Sequence, residues 1–332
     1  MRVNFKRITF VVGIFVIVGL TFFAPQYFMA EAMGADDVAI RLSWKASAEH
    51  TPFIMAMDKG FYKEEGINII SLKEGTGGMA VMKIIAAGQE TFANTGTNTA
   101  VNGISEGQPI LPIMNLVPSM QIGIISRAEA AISEPKDLIG KTIAGGGGSA
   151  ADMFEAFLSM HKIPREKVNY LSAGTGYLQA FVSGKADCVL DVTLNGVPIV
   201  KKMGVKSPVA LLYSDWGLPE VGSVVITHLD TVKKNPDMIR RFVKATLRGI
   251  NYTFMDIDKT VDIVLKHFPM TDRELLTTGL TRIKWCYSPP IGWSDPKNFE
   301  GLREIAANFS GIAGAKNIPL NRLFTNEFLP KF

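Results

Sequence analysis

LSWKASAEHTPFIMAMDKGFYKEEGINII, residues Leu42 to Ile70, is the stretch from which the fold can be read. Just before it, Val38 to Leu42 alternates apolar and polar residues as a half-buried strand does. The alternation breaks into a polar loop carrying Trp44, Glu49 and His50. Thr51 then stands where an N-cap belongs, Pro52 fits the first helical position, and Gly60 stands where a helix stops. A second strand candidate, Ile67 to Leu72, follows at once. Strand, loop and returning helix make the unit of an open α/β sheet, whose ligands bind beyond the carboxyl ends of the strands. Trp44 and His50 would lie there.

Outward from this unit the same grammar repeats. Glu74 to Gly78 is a glycine-rich loop before a helix candidate, Met79 to Ala87, closed by Gly88. A short strand then runs into the polar cluster Asn94 to Thr99. Pro109 to Val117 is mostly apolar, like a buried strand. Gln121 to Ser126 reads as extended, and from Arg127 the pattern restarts. Gly145 to Ser149 precedes a helix whose Met153, Phe154, Phe157 and Leu158 share one face. Lys185 to Asp191 echoes Gln89 to Asn94, with a glycine, polar residues, a short strand and a polar residue at its end. Val209 to Leu212 and Gly222 to Thr227 read as strands, with Trp216 between them. Asn235-Pro236 starts a helix with the stripe Met238, Ile239, Phe242, Val243, Leu247 and Ile250. The remainder is mainly helical to Asn308.

The opening stretch resembles the start of the NMT1/THI5-like branch of periplasmic substrate-binding proteins of ABC importers. The resemblance is carried by Ala56, Lys59-Gly60-Phe61-Tyr62 and Glu64-Glu65-Gly66-Ile67, and again by Pro135 to Ala144, which follows the family's "p.DLkGKkia". It implies a two-lobed α/β fold of the periplasmic-binding-protein type II kind, each lobe a mostly parallel sheet flanked by helices. Lobe 1 would comprise residues 35–122 and 222–332 and lobe 2 residues 123–221, with a double-crossover hinge able to close on a ligand. It further implies a receptor that captures a small molecule and presents it to an ABC permease in the inner membrane, as a monomer and without catalysis. Yeast-type enzymes of this fold that make the thiamine pyrimidine carry a cysteine-rich motif with no counterpart here.

Composition fits this class. At 332 residues the chain can bury two cores, and 47% apolar with 20% charged residues describes an ordinary globular protein. Arg2, Lys6 and Arg7 precede an uncharged run, Ile8 to Met29, and Ala30-Glu31-Ala32 has the spacing a signal peptidase cuts. Residues 1–32 therefore read as a signal peptide and the destination as the periplasm; an uncleaved anchor is the alternative. No Cys follows the run, so no lipid anchor is expected. Removing residues 1–32 takes away three basic residues and one acidic residue and leaves a net charge of +2, without the Lys/Arg blocks of a nucleic-acid binder. Cys188 and Cys286 are nearly a hundred residues apart and read as two buried thiols rather than a bridge.

Candidate contacts follow from the loops. Trp44 is a stacking wall for a flat ligand or a core aromatic. His50 is a donor or a surface histidine. Thr76 and Gly77 belong to a loop that either meets the ligand or merely turns. Gly147, Gly148 and Ser149 offer backbone N–H groups at a helix start, or a cap. Asp191, ending an apolar strand, accepts from a ligand or caps the next turn. Asn94, Thr95 and Asn195 are neutral hydrogen-bonding candidates, and Trp216 covers the pocket or packs between lobes. The four scattered histidines have no metal-ligand spacing, Gly140-Lys141-Thr142 lacks the leading glycine of a phosphate loop, and no G-x-S-x-G occurs, so neither metal, cofactor nor catalytic set is expected. These loops contain Trp, His, Asn, Thr and Asp but no Arg. They favour a flat, nitrogen-bearing ligand of the pyrimidine or thiamine-precursor type over nitrate, a sulfonate or an aromatic carboxylate. An exported enzyme or a sensor-type receptor on the same scaffold remains the alternative.

Overall fold

The computed structural model describes residues 35–130, 132–146, 149–219 and 221–331, with Ser149 described by its backbone alone. The expected signal peptide lies outside these residues, as do Gly147 and Gly148. Residues Asp36 to Phe332 form one unit.

Ten strands make two five-stranded sheets among the described residues. In chain order they are β1 (Asp36–Arg41), β2 (Ile67–Lys73), β3 (Phe92–Gly96), β4 (Ile110–Val117), β5 (Ile122–Arg127), β6 (Thr142–Gly145), β7 (Asn169–Ser172), β8 (Cys188–Val192), β9 (Pro208–Leu212) and β10 (Ser223–His228). The first sheet has the order β2-β1-β3-β10-β4 and the second β7-β6-β8-β5-β9. In both, the middle strand has a parallel neighbour on one side and an antiparallel one on the other. The echo between Gln89–Asn94 and Lys185–Asp191 thus marks equivalent middle strands, β3 and β8. The α/β class is as expected, but the sheets are mixed. Strand direction reverses because β5 and β10 enter their sheets directly after the chain crosses from the other sheet, without a crossover helix to restore direction.

Alternation in β1 buries Val38 and Ile40 fully, and the apolar β4 is buried at every position but Asn115, as a strand covered on both faces is. The helix Pro236–Thr253 packs its buried stripe on the first sheet; Leu247, expected in that stripe, is half-buried. Its Phe242 ring stacks on Phe92 of β3 at 3.8 Å and on Tyr62 at 5.2 Å between centroids. The Tyr62 hydroxyl and the Thr246 hydroxyl, 2.9 Å apart, satisfy each other in this buried layer. A smaller core of Ile125, Ala144, Phe181, Val189 and Val200 lies under the second sheet. Cys188 is buried in β8, whereas Cys286, in the short turn Lys284–Cys286, is only half-buried; the two remain thiols. Among the described residues no helix is long and apolar enough to cross a membrane.

Candidate functional site

A cavity of about 640 Å³ is lined by residues of both sheets and by the start of the helix Arg273–Ile283. Its first-sheet wall is built by the loop after β1. Backbone N–H of Ser43 donates to Asn94 Oδ1 at 2.9 Å, and Asn94 Nδ2 donates to Ser43 Oγ at 3.1 Å. The chain then makes a short turn, Ala48–His50, ahead of the helix Thr51–Asp58. Ser47, not Thr51, stands at the N-cap of this composite start, and the Thr51 hydroxyl donates to the Ala48 carbonyl at 2.8 Å. The polar turn is thereby folded inward rather than left in solvent.

That inward fold decides the roles of Glu49 and His50. His50 is fully buried, and burial pulls its pKa down to about 3, so the ring is neutral. Its Nδ1 accepts the Ser47 backbone N–H at 3.2 Å, which puts the ring proton on Nε2. Nε2 lies 3.1 Å from Ser43 Oγ and 3.2 Å from Glu49 Oε1. His50 is therefore a support behind the wall, and it does not line the cavity. Glu49 does line it. Ser43, His50 and Ser223 surround this carboxyl, yet burial pushes it up to about 7, and Oε2 has no hydrogen-bond partner among the described residues.

The loop Glu74 to Gly78 is clipped onto the same wall. Gly77 N–H donates to the Ser43 carbonyl at 2.9 Å, and the Glu74 carboxylate accepts from Ala46 N–H and Lys45 Nζ, both at 2.8 Å. Trp44 and Gly77 line the cavity together, and a Cβ on Gly77 would stand 4.0 Å from the indole. Thr76 faces solvent instead.

The second-sheet wall centres on Asp191 at the end of β8. Its Oδ1 accepts the Val192 backbone N–H at 2.7 Å, while Oδ2 is shut off from solvent and carries no hydrogen bond among the described residues. Burial pushes this carboxyl too up to about 7; the Val192 N–H and the neighbouring Tyr177 hydroxyl offset only part of that. The seat is closed from behind by Gly196, where a Cβ would fall 2.3 Å from Oδ2, so only glycine admits the carboxyl in this position. Asn195 lines the same wall. The third side is supplied by Met270, Asp272, Leu275 and Leu276.

Of the expected contacts, the cavity brings together Trp44, Gly77, Asp191 and Asn195. Asn94, Thr95 and His50 are buried behind its lining; the Thr95 hydroxyl sits under Gly78, 2.5 Å from where a Cβ there would be. Trp216 is half-buried with its ring edge-on to His161, whose Nε2 is 3.0 Å from the Trp216 carbonyl, and it does not line the cavity. For Gly147 and Gly148 there is no placement to compare, nor for the Ser149 side chain; the adjoining Gly146 and Ala150 do line the cavity. Sequence reading missed Glu49, Tyr177 and the segment Met270 to Leu276. Glu49 reads as a solvated loop charge, and only the inward turn started by Ser47 makes it a wall residue.

Among the described residues four acids line the cavity: Glu49, Glu74, Asp191 and Asp272. Glu74 is paired with Lys45, and Asp272 with Lys202. No group of His, Cys, Asp and Glu among the described residues is arranged to hold a metal ion.

Residues 47–259 match the model of the family described as NMT1/THI5 like. Over most of its length the chain is similar to the riboflavin-binding protein RibY of Chloroflexus aurantiacus, at 22% identity over 88% of this chain and 86% of that protein. It is similar also to the formylaminopyrimidine-binding protein of Halalkalibacterium halodurans, at 23% identity over 80% and 83%. A third relative, the 4-amino-5-hydroxymethyl-2-methylpyrimidine phosphate synthase THI13 of Saccharomyces cerevisiae, is 22% identical over 73% and 74%. Among solved structures, the alkanesulfonate-binding protein SsuA of Xanthomonas axonopodis pv. citri superposes with a TM-score of 0.70 at 14% identity, covering 89% of this chain and 100% of that one. The fold is that of the periplasmic binding proteins. With its match over residues 47–259, the chain belongs to the NMT1/THI5-like family, and the relatives it resembles include both solute-binding proteins and a pyrimidine synthase.

Proposed function

We propose that this chain is the exported solute receptor of an ABC importer, taking a flat, nitrogen-bearing molecule between its two sheets and handing it unchanged to a membrane permease. The observation that carries the reading is the cavity itself, with the Trp44 indole on one wall and buried carboxyl groups, Glu49 and Asp191, as acceptors. An indole wall suits a planar ring system, and carboxyl acceptors suit ring N–H or amino groups. Two relatives named for binding riboflavin and formylaminopyrimidine support a heteroaromatic ligand. The SsuA structure shares the fold but was solved with MOPS, a sulfonate. Here an anion would meet four lining acids and one lysine, Lys45. In this reading residues 35–122 with 222–332 move as one lobe and 123–221 as the other. The hinge lies at residues 118–121 and 213–222, where the chain passes between the sheets, and the receptor works as a monomer in the periplasm.

The test is a thermal-shift screen of the purified protein against pyrimidines, thiamine and its precursors, riboflavin, sulfonates, nitrate and aromatic acids. A solute that binds only the folded state raises the melting temperature. A shift with a heteroaromatic amine, lost in Trp44→Ala, is expected; a shift with sulfonates or nitrate alone overturns the ligand class.

A second reading, an exported enzyme on this scaffold, is favoured by one observation. Glu49 and Asp191 are both pushed up to about 7, in the range where a carboxyl exchanges protons near neutrality. Mass spectrometry of the bound solute after prolonged incubation separates the two: recovery intact supports the receptor, and conversion supports the enzyme.

A further inference from the structure

The helices Thr193–Lys202 and Arg273–Ile283 lie side by side and antiparallel along the third side of the cavity, and their pairing has a local cause. Pro198 stands inside the first helix and has no N–H for the carbonyl of Leu194, one turn back. Arg282 Nη1 supplies the missing donor from the second helix, 3.1 Å from that oxygen. Lys202 closes the other end on Asp272 and Glu274. Between these ties Gly279 leaves room for its neighbours: a Cβ there would stand 3.0 Å from Ala48 Cβ and 3.5 Å from Asn195 Oδ1. What the paired helices turn to the cavity is mainly apolar. Leu194, Pro198 and Ile199 line it from the first helix, and Leu275 and Leu276 from the second. Leu194 and Leu276 are buried, whereas Pro198, Ile199 and Leu275 are half-buried and keep apolar surface open to solvent. Met270, 96% exposed, extends the same surface to the rim. The polar residues that these segments add to the lining are Asn195, Thr271 and Asp272, and Asp272 is held by Lys202.

We infer that this corner is a subsite for an apolar substituent, aryl or branched alkyl, carried by the heteroaromatic ring that lies on Trp44. The inference rests on the receptor reading and narrows it: the solute is a ring with an apolar arm, not a bare pyrimidine. Room is the first argument. A cavity of about 640 Å³ falls within the range that encloses a whole drug-sized molecule, about 300–1,000 Å³, and a single ring against the indole leaves the corner to water. The division of the lining is the second. Ser43, Lys45, Ser47 and Glu74 share the loops after β1 and β2 with Trp44, whereas the helix pair offers chiefly aliphatic contact. Apolar surface left wet in a cavity is surface that a ligand gains by covering. An arm in the corner touches both helices at once, so its burial favours the arrangement in which they are paired.

The experiment titrates the purified protein, by calorimetry, with 2,4-diaminopyrimidine and with pyrimethamine, the same ring and amino groups bearing chlorophenyl and ethyl substituents. The corner predicts pyrimethamine binding tighter by about 30-fold or more. Ile199→Trp, which fills the corner, should bring the two probes to within about 3-fold of each other. Leu275→Ser, which leaves the corner open but makes it polar, should cut the advantage by about 5-fold. It also keeps the test decisive if the larger side chain misfolds the protein; far-UV circular dichroism and melting curves verify that each variant folds. Equal affinity of the two probes for the wild type, no binding of pyrimethamine, or an advantage that survives both variants overturns the subsite. Any of these leaves the receptor reading standing when the thermal-shift screen finds a small solute whose binding Trp44→Ala abolishes. If the solute found in that screen binds Trp44→Ala, Ile199→Trp and Leu275→Ser all as tightly as wild type, the subsite falls together with this cavity as the receptor site.

Discussion

Lys202 Nζ lies 2.8 Å from Asp272 Oδ2 and 2.7 Å from Glu274 Oε2, tying the end of the helix Thr193–Lys202, beside the second sheet, to the start of the helix Arg273–Ile283 at the cavity edge. Both partners are well exposed, so the pair adds little to global stability and is screened by salt. Its effect is local, on how firmly the third side of the cavity meets the second-sheet wall. Lys202→Met is expected to leave the melting temperature within about 2 °C of wild type. Ligand dissociation should quicken by about 3-fold, and the wild type should lose the same advantage at high salt. Stopped-flow dissociation at low and high ionic strength checks both.

The pH dependence has a definite sign. Glu49 and Asp191 sit at about 7 in the folded protein, against ordinary values of 4.5 and 3.8. Over the interval between those values the folded state holds protons that the unfolded chain has released. The contribution is fully present below the unfolded values and is lost as pH rises through about 7. The ligand-free protein should therefore melt higher at pH 5.5 than at pH 7.5, by about 5 °C. The double variant Glu49→Gln, Asp191→Asn should lie much flatter over the same interval. Calorimetry of the two proteins at both values checks it.

Gly196→Ala would place its methyl 2.3 Å from Asp191 Oδ2 and 2.6 Å from Ile125 Cδ1. The carboxyl must leave its seat for the methyl to fit. A loss of at least about 10-fold in ligand affinity is expected with a folded protein, since the clash is met by moving a side chain rather than the backbone. Titration with the solute found in the screen measures it.

Phe242→Ala removes the ring that sits between Phe92 and Tyr62 in the first-sheet core. All three side chains are fully or almost fully buried, so the substitution should destabilise by about 3–5 kcal/mol. Urea unfolding checks this, and an unchanged midpoint would contradict the packing described.

Much of the fold is legible in the sequence because it depends on local rules. The β1 alternation, the apolar β4 and the glycines closing the helices each declare themselves within ten residues. The mixed direction of the sheets does not, because it depends on where β5 and β10 insert after long excursions. The site is legible in part for the same reason. Trp44, Gly77 and Asp191 lie in loops or at a strand end, and Asn195 in the first turn of the helix after β8, places that any open sheet aims at its ligand. His50 and Asn94 looked like ligand contacts because they are polar, but buried polar groups first satisfy one another, and these two hold Ser43 and the Glu49 carboxyl in place. Glu49 hid beside them, since burial and not residue type gives it a role. Met270 to Leu276 is remote in sequence from both walls, and no local signal links it to them.

The sheet order has a consequence for how the chain is assembled. Within its sheet β4 is bonded only to β10, and β10 is made more than a hundred residues later, after every strand of the second sheet. As the chain emerges from the ribosome, residues Ile122 to Leu212 can close their sheet while β4 still waits for its partner. The half that begins the chain is thus the half that finishes last, and the long-range pairing of β10 between β3 and β4 is the slow, closing step. A chain arrested before Ser223 would leave the backbone N–H and C=O groups along one edge of β3, and both edges of the apolar β4, unpaired. Such nascent chains are the ones that holding chaperones should find.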